Sequence, residues 1–236
     1  MINFIPNEMK EWAVELSEKL KEEFNSFDPK EQFTLFIGGD GTFLFHKEKA
    51  KGISILIGSE TSKRAHIKYY PSMKYDNLVI LLKKMFLSPS WVKLPLLYVN
   101  NIEKYALNDV VIHTANHSVV SLKAEFSGKN NFFREGKADG LILSTPFGSL
   151  AYNKSSGGSE ILLGMKAASL TFISPITYKT PLVFPIEEFK KIKIEVVGGE
   201  ADLIIDGIYK EKFVKKVFVE WKRKFVKYYI GANTSL

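Results

Sequence analysis

Residues 33–42 read Phe-Thr-Leu-Phe-Ile-Gly-Gly-Asp-Gly-Thr, an apolar run of strand formers that ends in a glycine-rich turn. The residues that follow, 43–48, can continue as a helix. Glycines let the backbone approach an anion closely and offer its N–H groups, and a helix start adds partial positive charge. This arrangement predicts a phosphate-binding loop. Because a carboxylate beside phosphates is repelled unless it binds a metal, a hydroxyl or a proton, Asp40 is a candidate base or metal-linked group.

The loop matches neither of the two common phosphate-binding signatures. No lysine follows the glycines at the spacing of a P-loop, and position 44 lacks the third glycine of the dinucleotide fingerprint. An alternative stays open at this point: Asp and Gly are ordinary turn residues, so Asp40 could cap a helix at Thr42. The complete five-residue run after a buried strand favours a functional loop.

The flanking sequence predicts a layered α/β unit. Apolar residues at every fourth position predict a helix within residues 7–27. Residues 53–57 predict a second buried strand that ends at Gly58, and residues 74–87 predict another amphipathic helix. Alternation of helices and strands is typical of an α/β domain.

The second part of the chain changes to short strands separated by turn signals. Residues 105–112 and 118–126 flank a turn at 114–117, which predicts a β-hairpin. The change of pattern predicts an α/β domain over residues 1–90 and a β-rich domain over residues 91–221.

Composition is that of a globular protein, and it limits the partners. Of 236 residues, 45% are hydrophobic and 25% are charged, and there is no cysteine to form a disulfide or a thiolate metal site. The net charge of +7 is carried almost wholly by lysine, whereas nucleic-acid readers favour arginine, so we expect no nucleic-acid partner. Nothing resembles a signal peptide or a membrane helix, so we expect a cytoplasmic protein without a membrane partner.

A second group of polar residues lies far along the chain. Residues 139–158 are rich in polar, small and turn-forming types, which favours a ligand-lining loop. Upstream, Asn108 and Asp109 stand together at the start of a predicted strand, a pair that by itself is more typical of a turn. His113 and His117 are four residues apart, but no third ligand is evident, so we expect no structural metal site.

Taken together, these segments resemble the NAD kinase family. The resemblance rests on the glycine run, on the Asn108-Asp109 pair and above all on residues 139–158, which read Asp-Gly-Leu-Ile-Leu-Ser-Thr-Pro-Phe-Gly-Ser-Leu-Ala-Tyr-Asn-Lys-Ser-Ser-Gly-Gly. Three further runs follow in the family's order: Ile173-Ser174-Pro175, Pro181-Leu182-Val183-Phe184-Pro185 and Asp206-Gly207. Lipid kinases and phosphofructokinases share the core of the glycine run, so the long segment is the specific part.

The resemblance implies a two-domain fold. An α/β, Rossmann-like layered domain would be followed by a mostly β, sandwich-like domain, with the site in the cleft between them. The end of the chain, about residues 222–236, would pack back on the first domain. Subunits would form homodimers or homotetramers.

The resemblance also implies a reaction. The 2′-hydroxyl of the adenosine ribose of NAD would attack the terminal phosphate of ATP or polyphosphate, while Mg²⁺ neutralises charge. Asp40 would orient or deprotonate that hydroxyl. The remaining implied roles are phosphate binding by the backbone of Gly38, Gly39, Gly41 and Thr42, adenosine binding by Asn108 and Asp109, adenine packing by Tyr152 with Ala151 and Ser155 lining the pocket, and contact of Asp139 with the nicotinamide end or its ribose.

Departures from the family pattern keep other functions open. Asp109 replaces a residue that is usually glutamate, and Phe147 and Leu150 replace residues that are usually Thr or Ser. The alternatives are a non-catalytic NAD(P)-binding sensor and a lipid kinase with the same glycine loop. A sensor, however, has little need of a base such as Asp40.

One segment differs more strongly from the family. Residues 59–66 stand where a glycine-rich stretch is usual, and they include Lys63 and Arg64. These two cations could contact the phosphates of the donor, or the segment could be a solvated loop.

Overall fold

The computed structural model describes residues 1–231, which divide into two compact units. The first comprises Met1–Lys93 and the chain from Val226 onward, and the second comprises Leu94–Phe225. Of the segment expected to return to the first domain, residues 232–236 lie outside the described part of the chain. The predicted domains, 1–90 and 91–221, stay a prediction.

Helices and strands alternate in the first unit: β1 (Ile2–Pro6), α1 (Glu11–Glu23), β2 (Phe33–Ile37), α2 (Asp40–His46), β3 (Ile53–Ser59), β4 (Ile67–Tyr70), α3 (Tyr75–Leu87) and β5 (Trp91–Pro95). Strands dominate the second unit: β6 (Leu97–Val99), β7 (Lys104–Ala106), β8 (Asp109–Thr114), β9 (Val120–Gly128), β10 (Phe132–Ala138), β11 (Gly140–Ser144), α4 (Pro146–Ser149), α5 (Tyr152–Ser155), β12 (Ala167–Ile173), β13 (Leu182–Pro185), β14 (Phe189–Gly198), β15 (Ala201–Ile205), β16 (Tyr209–Glu211) and β17 (Lys216–Glu220). The chain then enters β18 (Phe225–Tyr229).

The first unit is built on a sheet in the order β1-β2-β3-β18-β5, with β4 also paired to β3. Strands β1, β2, β3, β4 and β18 pair in parallel. Alternate residues of β2 and β3 pack with Leu20 of α1 and Leu82 of α3, while Phe36 on the opposite face contacts Phe43 of α2. The carboxyl ends of β2 and β3 therefore meet at one edge of the sheet, where ligands bind in open α/β sheets.

The second unit is a sandwich of two sheets. Their strand orders are β10-β9-β14-β17-β6-β7 and β13-β12-β11-β8-β15-β16. Alternating apolar residues from both sheets fill one core, for example Leu122 and Phe126 of β9 and Val110 and Ile112 of β8. The predicted fold class, an α/β unit and a mostly β, sandwich-like unit, is confirmed.

The predicted hairpin around residues 114–117 is wrong. β8 pairs with β11 and β15, whereas β9 pairs with β10 and β14 in the other sheet. The turn therefore crosses from one sheet to the other. Alternation of apolar residues shows that a strand has one buried face, but it does not say which strand lies beside it.

Several predicted boundaries also need correction. The strand expected to end at Gly58 continues to Ser59, and the strand expected over 105–112 is broken at residues 107 and 108 between β7 and β8. The helix expected within residues 7–27 is shorter, and β1 was not predicted. None of the helices in the described part of the chain is long and apolar enough to span a membrane.

Candidate functional site

The glycine loop leaves the buried strand β2 in a conformation that needs glycine. Gly38 and Gly39 have φ angles of 139° and 102°. A Cβ on Gly38 would lie 2.5 Å from Cβ of Asn7, and one on Gly39 would lie 2.6 Å from Oγ of Ser62. Positive φ and close neighbours on both sides exclude larger side chains. The loop is anchored because the Gly38 N–H donates to the carbonyl oxygen of Ile57 at 2.8 Å.

Asp40 is the first residue of α2 and is half-buried. No side-chain cap forms at the start of this helix, so the alternative of a purely capping Asp40 is wrong. Its two carboxylate oxygens instead accept the backbone N–H of Arg64 at 3.1 and 3.3 Å. The carboxylate is thus oriented by a main-chain donor that follows β3.

Two further polar side chains, those of Lys10 and Thr42, lie next to Gly38 of the glycine loop. The Lys10 ammonium donates to the carbonyl oxygen of Gly38 at 2.8 Å. Thr42 is 3% exposed, and its Oγ1 has no hydrogen-bond partner among the described residues. A buried hydroxyl without a partner is uncommon and is a ready donor for an anion.

The segment after β3 is tied to the last strand. The Tyr228 hydroxyl donates to the carbonyl oxygen of Arg64 at 3.1 Å. His66 Nδ1 accepts the Leu56 N–H at 2.8 Å, and its Nε2 lies 2.7 Å from the carbonyl oxygen of Tyr229, which requires a neutral ring with the proton on Nε2. Burial lowers the pKa of His66 to about 4, against a smaller opposing effect of the Tyr229 hydrogen bond.

In the second unit, a buried aspartate holds the Asn108-Asp109 turn. The Asp206 carboxylate accepts the backbone N–H groups of Leu107 at 3.0 Å, Asn108 at 2.7 Å and Asp109 at 3.2 Å. Asp206 is 5% exposed and has a φ of 55°. Three N–H donors compensate for the burial of this charge and place the start of β8.

The Ser-Thr-Pro turn, defined here as residues 144–149, packs on the same backbone. The Thr145 N–H donates to the Asn108 carbonyl oxygen at 2.9 Å, and the Thr145 hydroxyl donates to the Leu107 carbonyl oxygen. The same hydroxyl accepts the Gly148 N–H at 3.2 Å and so caps α4. A Cβ on Gly148 would collide with the Asn108 carbonyl, so glycine is required for this approach.

Helix α5 is anchored by the buried side chain of Asn153. Asn153 is fully buried; its Oδ1 accepts the Thr171 hydroxyl at 2.8 Å and its Nδ2 donates to the Ser159 carbonyl at 3.0 Å. This anchor leaves the neighbouring Tyr152 41% exposed. An exposed aromatic ring on an anchored helix can stack on a flat ligand.

Tyr152 brings the two predicted NAD-binding carboxylates into one electrostatic environment. Burial of part of the ring raises the pKa of Tyr152, a hydrogen bond with Ser156 lowers it, and the negative charges of Asp109 and Asp139 raise it. Asp109 pairs with Ser144 at one end of β11, while Asp139 precedes Gly140 at the other end, ~16 Å along the strand. The pKa of Tyr152 is therefore affected by the charge of a carboxylate at each end of β11.

The predicted residues take up distinct positions. Ala151 is half-buried and Ser155 is exposed on α5, while Lys63 is exposed beside the glycine loop. Arg64 contributes its backbone to Asp40, as described above. Of the two departures from the family pattern within residues 139–158, Phe147 is 2% exposed, so it is a packing residue, whereas Leu150 is 43% exposed.

Sequence reasoning missed the residues that hold the site. Asp206 was matched to the family but given no role, and Lys10, Thr145, Asn153 and Tyr228 were not singled out. A buried aspartate before glycine was the one available signal for Asp206. The other contacts join distant segments, so no local pattern announces them. Within residues 1–231, no group of three His, Cys, Asp or Glu side chains could hold a metal ion.

Comparison with known proteins identifies relatives. Residues 107–224 match the family model described as the ATP-NAD kinase C-terminal domain. The chain is 34% identical to an NAD kinase from Lactobacillus johnsonii, over 77% of this chain and 72% of that protein. It is 29% identical to an NAD kinase from Picrophilus torridus, over 77% of this chain and 66% of that protein.

A solved structure supports the fold. The structure of an NAD kinase from Archaeoglobus fulgidus in complex with ATP superposes with a TM-score of 0.71 at 19% identity, covering 98% of this chain and 93% of that one. At this identity the likeness concerns the fold alone.

Proposed function

This chain belongs to the NAD kinase family and acts as an NAD kinase, and we propose how its residues carry out the reaction. The 2′-hydroxyl oxygen of the adenosine ribose of NAD attacks the γ-phosphorus of ATP. Asp40 accepts the hydroxyl proton, the bond to the β,γ-bridging oxygen breaks, and NADP and ADP form. The observation that carries this assignment is the half-buried Asp40 carboxylate, whose two oxygens are aimed by the Arg64 N–H at 3.1 and 3.3 Å.

The donor phosphates would bind at the glycine loop. The backbone of Gly38, Gly39 and Gly41 would line the phosphates without a Cβ in the way, and the N–H groups of Gly39 and Gly41 are the candidate donors, because the Gly38 N–H is bonded to the Ile57 carbonyl oxygen. The buried Thr42 hydroxyl, which has no partner among the described residues, is a further donor. Lys63 and Arg64 would add positive charge from the segment after β3.

Mg²⁺ would accompany the donor rather than occupy a protein cage. Magnesium usually keeps several waters and binds one or two carboxylates together with substrate phosphates. Asp40 offers one carboxylate at the loop, and the described residues contain no group of three acidic or histidine ligands. These residues fit a metal carried by the nucleotide, which would neutralise charge on the phosphates.

NAD would bind to the second unit through its adenosine. Asn108 and Asp109 would contact the adenosine, Tyr152 would stack on the adenine, and Ala151 and Ser155 would line its pocket. Asp139, at the far end of β11, would contact the nicotinamide end. The ~16 Å of strand between Asp109 and Asp139 supports this division, because an extended dinucleotide needs contacts that far apart.

We also propose a cytoplasmic homodimer or homotetramer that uses ATP or polyphosphate. Self-association is supported by large exposed apolar side chains, among them Val183 on β13, Ile176 between β12 and β13, and Leu162 before β12. Exposed apolar side chains of this kind are common at protein interfaces.

The decisive experiment is an NADP-formation assay with NAD, Mg²⁺ and ATP, repeated with polyphosphate, on the wild type and on Asp40→Asn. We expect kcat of Asp40→Asn to fall by on the order of 10² or more, because the variant lacks the proton acceptor. NAD binding, measured by calorimetry, should persist.

The same assay separates the competing functions. No product with either donor, together with saturable NAD binding, would indicate a non-catalytic sensor. An Asp40→Asn variant as active as the wild type would assign Asp40 to positioning and contradict its role as base.

A further inference from the structure

Two consecutive tyrosines of β18, the last described strand, contact the segment whose main chain orients Asp40. The Tyr228 hydroxyl donates to the Arg64 carbonyl oxygen at 3.1 Å, and the Tyr229 carbonyl oxygen lies 2.7 Å from Nε2 of His66. These pairs are 164 and 163 residues apart in the chain. Both hydrogen bonds join β18 to residues 64–66.

Arg64 connects these hydrogen bonds to the Asp40 carboxylate. Its main-chain N–H donates to both oxygens of Asp40, and its main-chain carbonyl accepts from Tyr228. His66, two residues further on, is fixed to β3 through the Leu56 N–H at 2.8 Å. The orientation of Asp40 therefore depends on residues 64–66. This segment is held at Arg64 by Tyr228 and at His66 by Leu56 and Tyr229.

The Tyr228 side chain is itself held in one position. It is 6% exposed, and its ring lies 4.5 Å from the ring of His66 and 5.8 Å from that of Phe43, measured between centroids. Phe43 belongs to α2, the helix that begins at Asp40. The Tyr228 ring thus contacts both the helix that carries the carboxylate and the segment that orients it.

We propose that Tyr228 is a positioning residue for Asp40. Its hydroxyl fixes the Arg64 main chain so that the Arg64 N–H keeps the carboxylate aimed at the substrate hydroxyl. The inference rests on the proposed role of Asp40. Small misplacements of a reacting group have large kinetic costs, so loss of one hydroxyl should reduce turnover without weakening substrate binding.

The matched pair Tyr228→Phe and Tyr229→Phe tests the proposal on the full-length protein. Both variants lose one phenolic hydroxyl, but the Tyr229 contact with His66 uses the main chain. We expect kcat of Tyr228→Phe to fall about 10-fold, with KM for NAD and for ATP within about twofold of the wild type. Tyr229→Phe should keep kcat within about twofold.

A double-mutant cycle with Asp40→Asn distinguishes positioning from general loosening. If Tyr228 acts through Asp40, then Tyr228→Phe should change the residual kcat of Asp40→Asn by less than about twofold. If the two losses multiply, Tyr228 acts independently of Asp40 and the proposal is wrong. Equal kcat for Tyr228→Phe and the wild type would also overturn it.

A second variant covers the case in which Tyr228→Phe does not fold. His66→Ala removes both side-chain contacts that hold the same segment, to Leu56 and to Tyr229, and should lower kcat with unchanged KM values; wild-type kcat would contradict the proposal. Failure of the wild type itself to form NADP would count against the proposed reaction and not against this contact, so the two ideas fail separately.

Discussion

The glycine loop of the first unit and the Ser-Thr-Pro turn of the second unit satisfy their polar groups in different ways. Around Asn108, the main chain is held by several hydrogen bonds: Asp206 accepts three N–H groups, and Thr145 bonds to the carbonyl oxygens of Leu107 and Asn108. At the glycine loop, the Asp40 carboxylate is half-buried and the Thr42 hydroxyl has no partner in the described structure.

This difference is consistent with the roles proposed for the two regions. A turn whose main chain is held by several hydrogen bonds presents a fixed surface, which suits recognition of a nucleoside. A loop with an unpartnered hydroxyl and an oriented carboxylate keeps bonding capacity for a reacting group. Substitutions in the first region should therefore act on catalysis, whereas those in the second should act on stability and binding.

The largest effect is expected at Asp206. Asp206→Ala leaves three N–H groups without an acceptor, two of them buried and one part-buried, which should lower the free energy of unfolding by about 4 kcal/mol. Urea denaturation measures this loss. Asp202→Ala is the matched control, because Asp202 accepts a single backbone N–H, from Phe213 at 3.1 Å, and pairs with the exposed Lys210; about 1 kcal/mol is expected. Equal losses would show that the turn does not depend on Asp206.

The next effect is a pH dependence of stability that arises at His66. Its pKa of about 4 in the folded protein lies below the ordinary 6.5, so the unfolded chain binds a proton that the folded protein does not. The contribution of His66 to the free energy of unfolding is at its maximum above the ordinary pKa of 6.5 and falls as the pH drops. At pH 4 the free energy of unfolding is lower by about 3 kcal/mol. His66→Gln should remove this part of the decline, whereas a substitution of the exposed His117 should retain it. Parallel stability profiles for the wild type and His66→Gln would contradict the assignment.

The smallest of these effects concerns ligand binding in the second unit. Tyr152→Ala should raise the Kd for NAD about 10-fold, because stacking of a base on an aromatic ring contributes about 1–3 kcal/mol. The melting temperature should stay unchanged, since the ring is 41% exposed. Tyr178→Ala, at a tyrosine that is 79% exposed, is the control. Calorimetry with equal Kd values for the two variants would place the adenine elsewhere.

Local pattern predicted much of the fold but little of the pairing. The buried strand at residues 33–37, the helix near 74–87 and the β-rich second half all follow from apolar periodicity. The prediction of a hairpin at 114–117 was wrong because β8 and β9 belong to different sheets, although both show a similar alternation of apolar residues. Gly58 was expected to end a strand, yet it lies within β3, where the close approach of Ser62 requires glycine.

The sequence by itself determined the family, the fold class and the residues proposed to carry the chemistry, because Asp40, Tyr152 and the glycine loop belong to contiguous motifs. The tertiary structure alone decided what holds those residues in place. Arg64, Tyr228, His66 and Asp206 act through contacts between segments up to 164 residues apart. Such contacts depend on how strands pair, which is a property of the whole chain and leaves no trace in the local spacing of residues.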